Sequence, residues 1–133
     1  MPKTLLITGA SSGIGKATAR HFHAKGWNVI ATMRKPDQEA ELNQLPGVLV
    51  TRLDVQDTDS IAKAVQAGVE RFGRIDVLVN NAGYGAYGPL EATPLARIRN
   101  QFDVNVIGLF ATTQALLPHF RRQKEGVIVN ISS

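Results

Sequence analysis

The stretch Thr8-Gly9-Ala10-Ser11-Ser12-Gly13-Ile14-Gly15 joins a short apolar run to a segment with a helical pattern. Gly9 permits a tight turn, Gly13 lets the backbone approach a pyrophosphate, and Gly15 lets the following helix lie close to a sheet. Free N–H groups at the start of that helix favour phosphate charge. The spacing is G-x-x-x-G-x-G, not G-x-G-x-x-G, so the stretch alone is equally compatible with a plain strand-to-helix turn. In this context it predicts a dinucleotide-binding loop.

Strand-like and helix-like segments alternate along the rest of the chain. Five short runs rich in Val, Ile and Leu are predicted as strands, at residues 4–8, 27–33, 48–53, 75–80 and 126–131. The runs are almost continuously apolar, as expected of parallel strands that are covered on both faces. The alternation therefore predicts an α/β fold with a Rossmann-like, doubly wound parallel sheet that is truncated after the fifth strand.

Capping residues mark the ends of two helices. The first helix is expected from Gly13 to Gly26, where a glycine supplies the left-handed C-cap. The second is expected to begin after Asp57 or Thr58 as N-cap and to stop at Gly73. These signals place both helices between predicted strands.

The third helical segment is long and spans about residues 95–124. It carries an apolar stripe that we expect to lie on one face, formed by Ile98, Phe102, Leu109 and Leu116. Pro118 is expected to bend its last turns.

Length and composition predict one globular domain over residues 1–133. The chain is 44% hydrophobic and 20% charged, which is ordinary for a protein with one core. A sixth strand is absent, so we expect the domain to be incomplete at its C-terminus. The sequence has no cysteine, and its three histidines form no ligand-spaced cluster, so no metal site is expected and a cytoplasmic location is favoured.

Charge and hydropathy also exclude two classes of partner. The net charge is +4, but Lys and Arg are scattered among acidic residues and form no basic stripe, so no nucleic-acid partner is expected. No apolar run is long enough to span a bilayer and no signal-peptide pattern opens the chain, so no membrane partner is expected either.

Four motifs together resemble those of the short-chain dehydrogenase/reductase family. They are residues 8–15, Asp54-Val55, Asn80-Asn81-Ala82-Gly83 and Asn105, which occur in the family's order and approximate spacing. The resemblance covers the whole chain and implies a site for a nicotinamide dinucleotide. It implies that the phosphates are held by Thr8, Gly9, Ser11, Ser12, Gly13, Ile14 and Gly15, the adenine by Asp54 and Val55, and the ribose by Asn81, Ala82 and Gly83.

The predicted positions of Asp54 and of residues 80–83 in the fold also favour a role in ligand binding. Asp54 directly follows the third predicted strand, at the sheet edge where ligands bind, and its carboxylate can accept from an exocyclic amine. The alternative is that Asp54 caps the approach to the next helix. The asparagines of residues 80–83 end the fourth strand, and a plain turn is the alternative there, above all for Asn80.

The end of the second strand predicts which nicotinamide cofactor is used. It reads Ala31-Thr32-Met33-Arg34-Lys35, without the acidic residue that pairs with the ribose hydroxyls in NAD-selective sites. Arg34 is a potential bidentate partner for a 2′-phosphate. We therefore expect NADP, with NAD the less favoured cofactor. The alternative is a solvated basic turn.

Two residues are candidates for the chemistry of hydride transfer. Asn105 lies on the long helix, turned inward by helical spacing, and the family resemblance implies that it holds a water in a proton relay. A satisfied core amide is the alternative. Ser133 resembles the family serine that orients the substrate oxygen, with Ser132 ranked below it.

The family's Tyr-x-x-x-Lys pair does not occur in this sequence. Tyr84 is followed four positions later by Gly88, and Tyr87 by Glu91. We therefore expect the chain to carry the cofactor-binding part of an NADP(H)-dependent alcohol/ketone oxidoreductase, to bind nucleotide weakly and to turn nothing over. The rival hypothesis is a non-catalytic nucleotide-binding sensor or interaction module.

Substrate and assembly follow only from resemblance. Residues 84–91 and Leu117-Pro118 are similar to the hydroxysteroid and retinol dehydrogenase branch, which implies a bulky apolar alcohol or ketone. Family members commonly pair through the long helix, so a homodimer or homotetramer is expected for the full-length protein.

Overall fold

A computed structural model describes residues 2–85 and 88–132. Its strands are β1 Thr4–Ile7, β2 Asn28–Met33, β3 Val48–Arg52, β4 Val77–Asn80 and β5 Val127–Asn130. They form one sheet in the order β3-β2-β1-β4-β5, and every neighbouring pair is parallel. The predicted doubly wound parallel sheet is confirmed, and its strands are slightly shorter than their apolar runs.

Both faces of the sheet are covered, which explains why its strands are apolar throughout. Successive strand residues point to opposite faces. Leu5 and Ile7 belong to a core cluster with Ala19 of the first helix, while Leu6 packs in a second cluster with residues of the helices that follow β3 and β4. All three β1 leucine and isoleucine side chains are fully buried.

The helices are α1 Gly13–Ala24, α2 Thr58–Phe72, α3 Leu95–Phe102 and α4 Gly108–Gln123. Their ends agree with the capping signals. Gly26, just beyond α1, and Gly73, the C-cap of α2, both have positive φ angles, of 87° and 84°. The N-cap of α2 is Asp57, whose side chain accepts from the N–H groups of Asp59 and Ser60, so of the two candidates Thr58 is the one inside the helix.

A π-helical turn, Asp103–Ile107, interrupts the predicted long helix. The N–H of Gly108 donates to the carbonyl of Asp103, five residues earlier, so this turn contains an extra residue. The extra residue rotates the segment before it relative to α4, and the expected apolar stripe is therefore wrong at Phe102, which is 60% exposed, while Leu116 is fully buried. Pro118 lies within α4.

The cap of α2 predicts a pH dependence of stability. The side chain of Arg52, 3.1 Å from Asp57 Oδ2, together with the N–H of Ser60, holds the pKa of Asp57 below its ordinary value of 3.8. Because the folded pKa is lowered, this contribution is complete above the ordinary pKa and disappears as the pH falls through the folded pKa. We expect Asp57→Asn, which keeps a capping side chain, to unfold at lower urea than the wild type at neutral pH. At strongly acidic pH the two midpoints converge, and a constant difference across that range contradicts the account.

Candidate functional site

A cleft lies at the carboxyl edge of the sheet, between the loops that leave β1 and β4. The strand order changes direction here, because β2 and β3 lie beyond β1 while β5 lies beyond β4. Loops that diverge at such a point leave room for a ligand. The cleft has a volume of about 510 Å³, and the predicted site residues that line it are Gly9, Ser11, Ser12, Ile14, Arg34, Asp54, Val55, Asn81, Ala82 and Gly83.

The start of α1 has the features required of a phosphate site. Gly13 has a φ of 56°, and a Cβ added there would meet nothing within 4 Å, so the space in front of the helix is open. The side chain of Ser12 makes no capping hydrogen bond, and the first turn carries no acidic residue. The helix therefore presents N–H groups to the cleft without a competing anion.

Gly15 is essential for the close packing of α1 against the loop. A Cβ at this position would lie 2.1 Å from the carbonyl oxygen of Gly9 and 2.5 Å from Asn81 Nδ2. Gly15 is buried and lies behind the cleft, so its part in the site is to let the helix approach the turn.

Thr8 and Asn81 join the loop after β1 to the loop after β4. The buried Thr8 hydroxyl accepts from the N–H of Asn81 at 3.0 Å and from the N–H of Ala82 at 2.9 Å. Asn81 Nδ2 donates back to the carbonyl of Gly9 at 3.1 Å. Both side chains thus contact protein groups, and Thr8, which is 1% exposed, lies beneath the cleft and does not line it.

Asp54 and Val55 form one wall of the cleft. Asp54 Oδ1 accepts from the N–H of Gln56 at 3.0 Å, which shapes the turn after β3, while Asp57 provides the helix cap. Val55 is 8% exposed and packs against Gly108, where an added Cβ would lie 2.6 Å from Val55 Cγ2. The wall is therefore fixed to the start of α4.

Asn105, in the π turn, fixes the loop after β4. Its Oδ1 accepts from the N–H of Tyr84 at 3.0 Å, and its Nδ2 donates to the carbonyl of Tyr84 at 2.7 Å. Both ends of the amide are therefore bonded to protein, as the satisfied-amide alternative requires, but Asn105 is half-buried and does not lie in the core. Gly83 gives Asn105 the room it needs, since an added Cβ would lie 2.7 Å from Oδ1.

The cleft is also lined by two polar side chains, Gln56 and Asn100, that the sequence analysis did not predict. Gln56 Nε2 donates to Asn100 Oδ1 at 3.2 Å, and Asn100 Nδ2 donates to the hydroxyl of Tyr84 at 2.6 Å. Gln56 follows Asp54 at the same strand end, a signal that points to the cleft. Nothing in the sequence marks Asn100, because its position depends on the π turn.

Arg34 lies where the cleft meets a second cavity of about 510 Å³. Ser11 and Met33 also border both cavities, and Lys35 borders only the second. Arg34 and Lys35 are exposed, and within residues 2–85 and 88–132 neither forms an ion pair. The second cavity thus offers cationic groups beside the cleft.

Asn80, Ser133 and Tyr87 are not among the described residues that line the cleft. Asn80 is 4% exposed, and its Nδ2 donates to Thr113 Oγ1 and Asn130 Oδ1, so it joins β4 to α4 and β5 and does not face the cleft. Ser133 and Tyr87 lie outside the described residues. None of the helices in the described part of the chain is long and apolar enough to cross a membrane.

Comparisons with known proteins identify relatives over nearly the whole chain. The family model for short chain dehydrogenase matches residues 3–133. An uncharacterized oxidoreductase of Schizosaccharomyces pombe is 48% identical over 101 residues, which is 76% of this chain and 43% of that protein. Retinol dehydrogenase 8 of Homo sapiens is 40% identical over 141 residues, which covers 99% of this chain and 44% of that protein. The chain spans about half the length of the curated relatives it matches.

The fold has equally clear relatives among solved structures. The structure of ElxO with NADP bound matches 100% of this chain with a TM-score of 0.92 and 34% sequence identity, and 56% of ElxO is covered. Sequence, sheet topology and relatives agree, and the chain belongs to the short-chain dehydrogenase/reductase family of oxidoreductases.

Proposed function

We propose that the protein is an NADP(H)-dependent oxidoreductase that transfers a hydride between nicotinamide and an alcohol or ketone, and that this chain carries the cofactor-binding part. The observation that carries the proposal is the pair of adjoining cavities, one at the start of α1 and one beside Lys35, with Arg34 between them. A dinucleotide with a 2′-phosphate requires this combination of an open helix N-terminus and a nearby guanidinium.

The cleft fits the successive parts of such a cofactor. Residues 9–15 and the first N–H groups of α1 would hold the pyrophosphate, since a side chain at Gly13 is absent and the space in front of it is open. Asp54 and Val55 would hold the adenine, residues 81–83 the cofactor's ribose, and Arg34 the 2′-phosphate. ElxO, a structural relative at 34% identity, has NADP bound.

The cofactor, when bound, supplies or accepts the hydride, and the chain orients it. The bonds from Thr8, Asn81 and Asn105 fix the loop after β4 in place, so the cleft is preformed and little ordering accompanies binding. We assign to Ser133 the orientation of the substrate oxygen. Neither Tyr84 nor Tyr87 is followed by a lysine four positions on, so neither is proposed as the proton donor, and we propose that residues 1–133 alone turn nothing over.

A bulky apolar alcohol or ketone is the proposed substrate class. The similarity to retinol dehydrogenase 8 supports it, because that relative is named for an apolar alcohol. We also propose a cytoplasmic homodimer or homotetramer, paired through the long helix, where Leu95, Phe102 and Phe110 are each more than half exposed.

Arg34→Met tests the cofactor proposal. Because the variant removes a charged partner of the 2′-phosphate, we expect the Kd for NADP+ to rise about tenfold or more. The Kd for NAD+, which lacks that phosphate, is expected to stay within about twofold. Isothermal titration of the protein measures both, with Arg34→Lys as the control that keeps the charge and loses the bidentate geometry. Equal weakening of both cofactors would contradict the proposal.

A further inference from the structure

An ion-pair cluster lines the second cavity opposite Arg34 and Lys35. Lys16, on α1, has its Nζ 3.4 Å from Glu39 Oε2 and 3.6 Å from Glu41 Oε1. The side chain of Glu39 is 2% exposed and that of Lys16 19%, whereas that of Glu41 is 59% exposed. The two carboxylates come from the loop after β2, and Lys16, Glu39 and Glu41 border the cavity. Glu41 also forms an ion pair with Arg20 of α1.

The carboxylate of Glu39 cannot leave this position. Its Oε2 accepts from the N–H of Glu41 at 2.9 Å and from the N–H of Leu42 at 2.8 Å, and Leu42 is itself fully buried in the core. A buried carboxylate needs a cation nearby, because an uncompensated buried charge is strongly unfavourable. Lys16 supplies that cation.

The same cluster determines the electrostatics of the cavity. Its lining carries three cations, Lys16, Arg34 and Lys35, and two carboxylates, Glu39 and Glu41. Arg20, outside the lining, is paired with Glu41. A phosphate monoester carries a charge of roughly −1.5 to −2 near neutral pH. Without Lys16, the Glu39 carboxylate would lose its ion-pair partner, and its uncompensated charge would weaken the attraction of the cavity for such a group.

We propose that Lys16 is a selectivity residue for the 2′-phosphorylated cofactor, acting by neutralising the Glu39 carboxylate and, together with Arg20, the Glu41 carboxylate at the wall of the cavity. The inference rests on the proposed function, because it concerns the site assigned there to the 2′-phosphate. It differs from the Arg34 assignment, since Lys16 acts by cancelling negative charge that would otherwise weaken phosphate binding, whereas Arg34 contacts the phosphate.

Lys16→Met tests this directly, because it removes the ammonium and keeps most of the apolar stem. We expect the Kd for NADP+ to rise about five- to tenfold and the Kd for NAD+ to change less than about twofold at low salt. The difference between the two cofactors should shrink at high salt. Isothermal titration gives both constants, and thermal unfolding checks that the variant is folded.

Glu41→Gln is the companion variant. Because the Glu41 side chain is 59% exposed, we expect this substitution to leave the protein folded. Alone it should tighten NADP+ binding about twofold with NAD+ unchanged, and in the double variant with Lys16→Met it should recover at least about twofold of the lost NADP+ affinity. A purely structural ion pair would give neither effect.

The outcomes separate this inference from the proposed function. If the wild type prefers NADP+ but Lys16→Met weakens both cofactors equally, or Glu41→Gln has no effect on NADP+, the role of Lys16 is overturned and the proposed function stands. If the wild type prefers NAD+, both are overturned.

Discussion

Gly15→Ala is expected to destabilise the protein by about 3 kcal/mol or more and to abolish cofactor binding at concentrations that saturate the wild type. The added Cβ would meet the carbonyl oxygen of Gly9 at 2.1 Å, and because this is a backbone atom in a tight turn it cannot rotate away. Either α1 shifts from the sheet or the loop changes shape, and both disturb the phosphate site. Urea unfolding and titration with NADP+ measure the two effects.

Gly73→Ala is the matched control for this prediction. Gly73 has a φ of 84°, so a side chain there would also strain the backbone. An added Cβ would meet nothing within 4 Å, however, and the residue does not line the cleft. It should cost about 1–2 kcal/mol of stability and leave cofactor affinity unchanged. A Gly15→Ala variant no less stable than Gly73→Ala would show that the close approach of α1 to the loop is misassigned.

Thr8→Val is expected to destabilise the protein by about 2–4 kcal/mol, because it leaves the N–H groups of Asn81 and Ala82 without their acceptor. Valine has nearly the same shape, so the loss comes from hydrogen bonding, not from packing. The loop after β4 would no longer be held to the loop after β1, and NADP+ affinity should fall as well. Equilibrium unfolding and titration with NADP+ give the two values.

Thr8→Ser provides the control, since it keeps the hydroxyl and removes one methyl group. It should cost about 1 kcal/mol and preserve cofactor affinity. If Thr8→Val cost no more stability than Thr8→Ser, the hydroxyl would not be the acceptor that holds the loop after β4.

The backbone of the site was predictable because glycine and apolar patterns act locally. Gly9 and Gly13 have positive φ angles, of 67° and 56°, a conformation that glycine adopts without strain. The parallel sheet followed from apolar runs separated by helices, and its carboxyl edge then placed Asp54 and Asn81 at one cleft.

The side-chain bonds within the site were not predictable, because they depend on contacts between residues far apart in the chain. Thr8 and Asn81 are separated by 73 positions, and nothing in either motif shows that one hydroxyl holds the other loop. The π turn was not predictable for another reason. A regular period of 3.6 residues continued through residues 103–107 predicts that Phe102 is buried, whereas it is exposed.

The role of Lys16 could not be predicted from the sequence either. In the sequence it is one more basic residue on an amphipathic helix, and its importance appears only when the loop after β2 brings Glu39 and Glu41 to its ammonium. Arg34 was found because its position relative to the strand end is fixed, whereas the position of Lys16 depends on a loop without a regular pattern.

Equilibrium titration of the wild-type protein with NADP+ and with NAD+ shows whether the cleft at the carboxyl edge of the sheet is a site for the 2′-phosphorylated cofactor. We expect both nucleotides to bind to this cleft and NADP+ to bind at least about tenfold more tightly, because Arg34, supported by Lys16, contacts the 2′-phosphate. Tighter binding of NAD+, or no binding of either nucleotide, would contradict it.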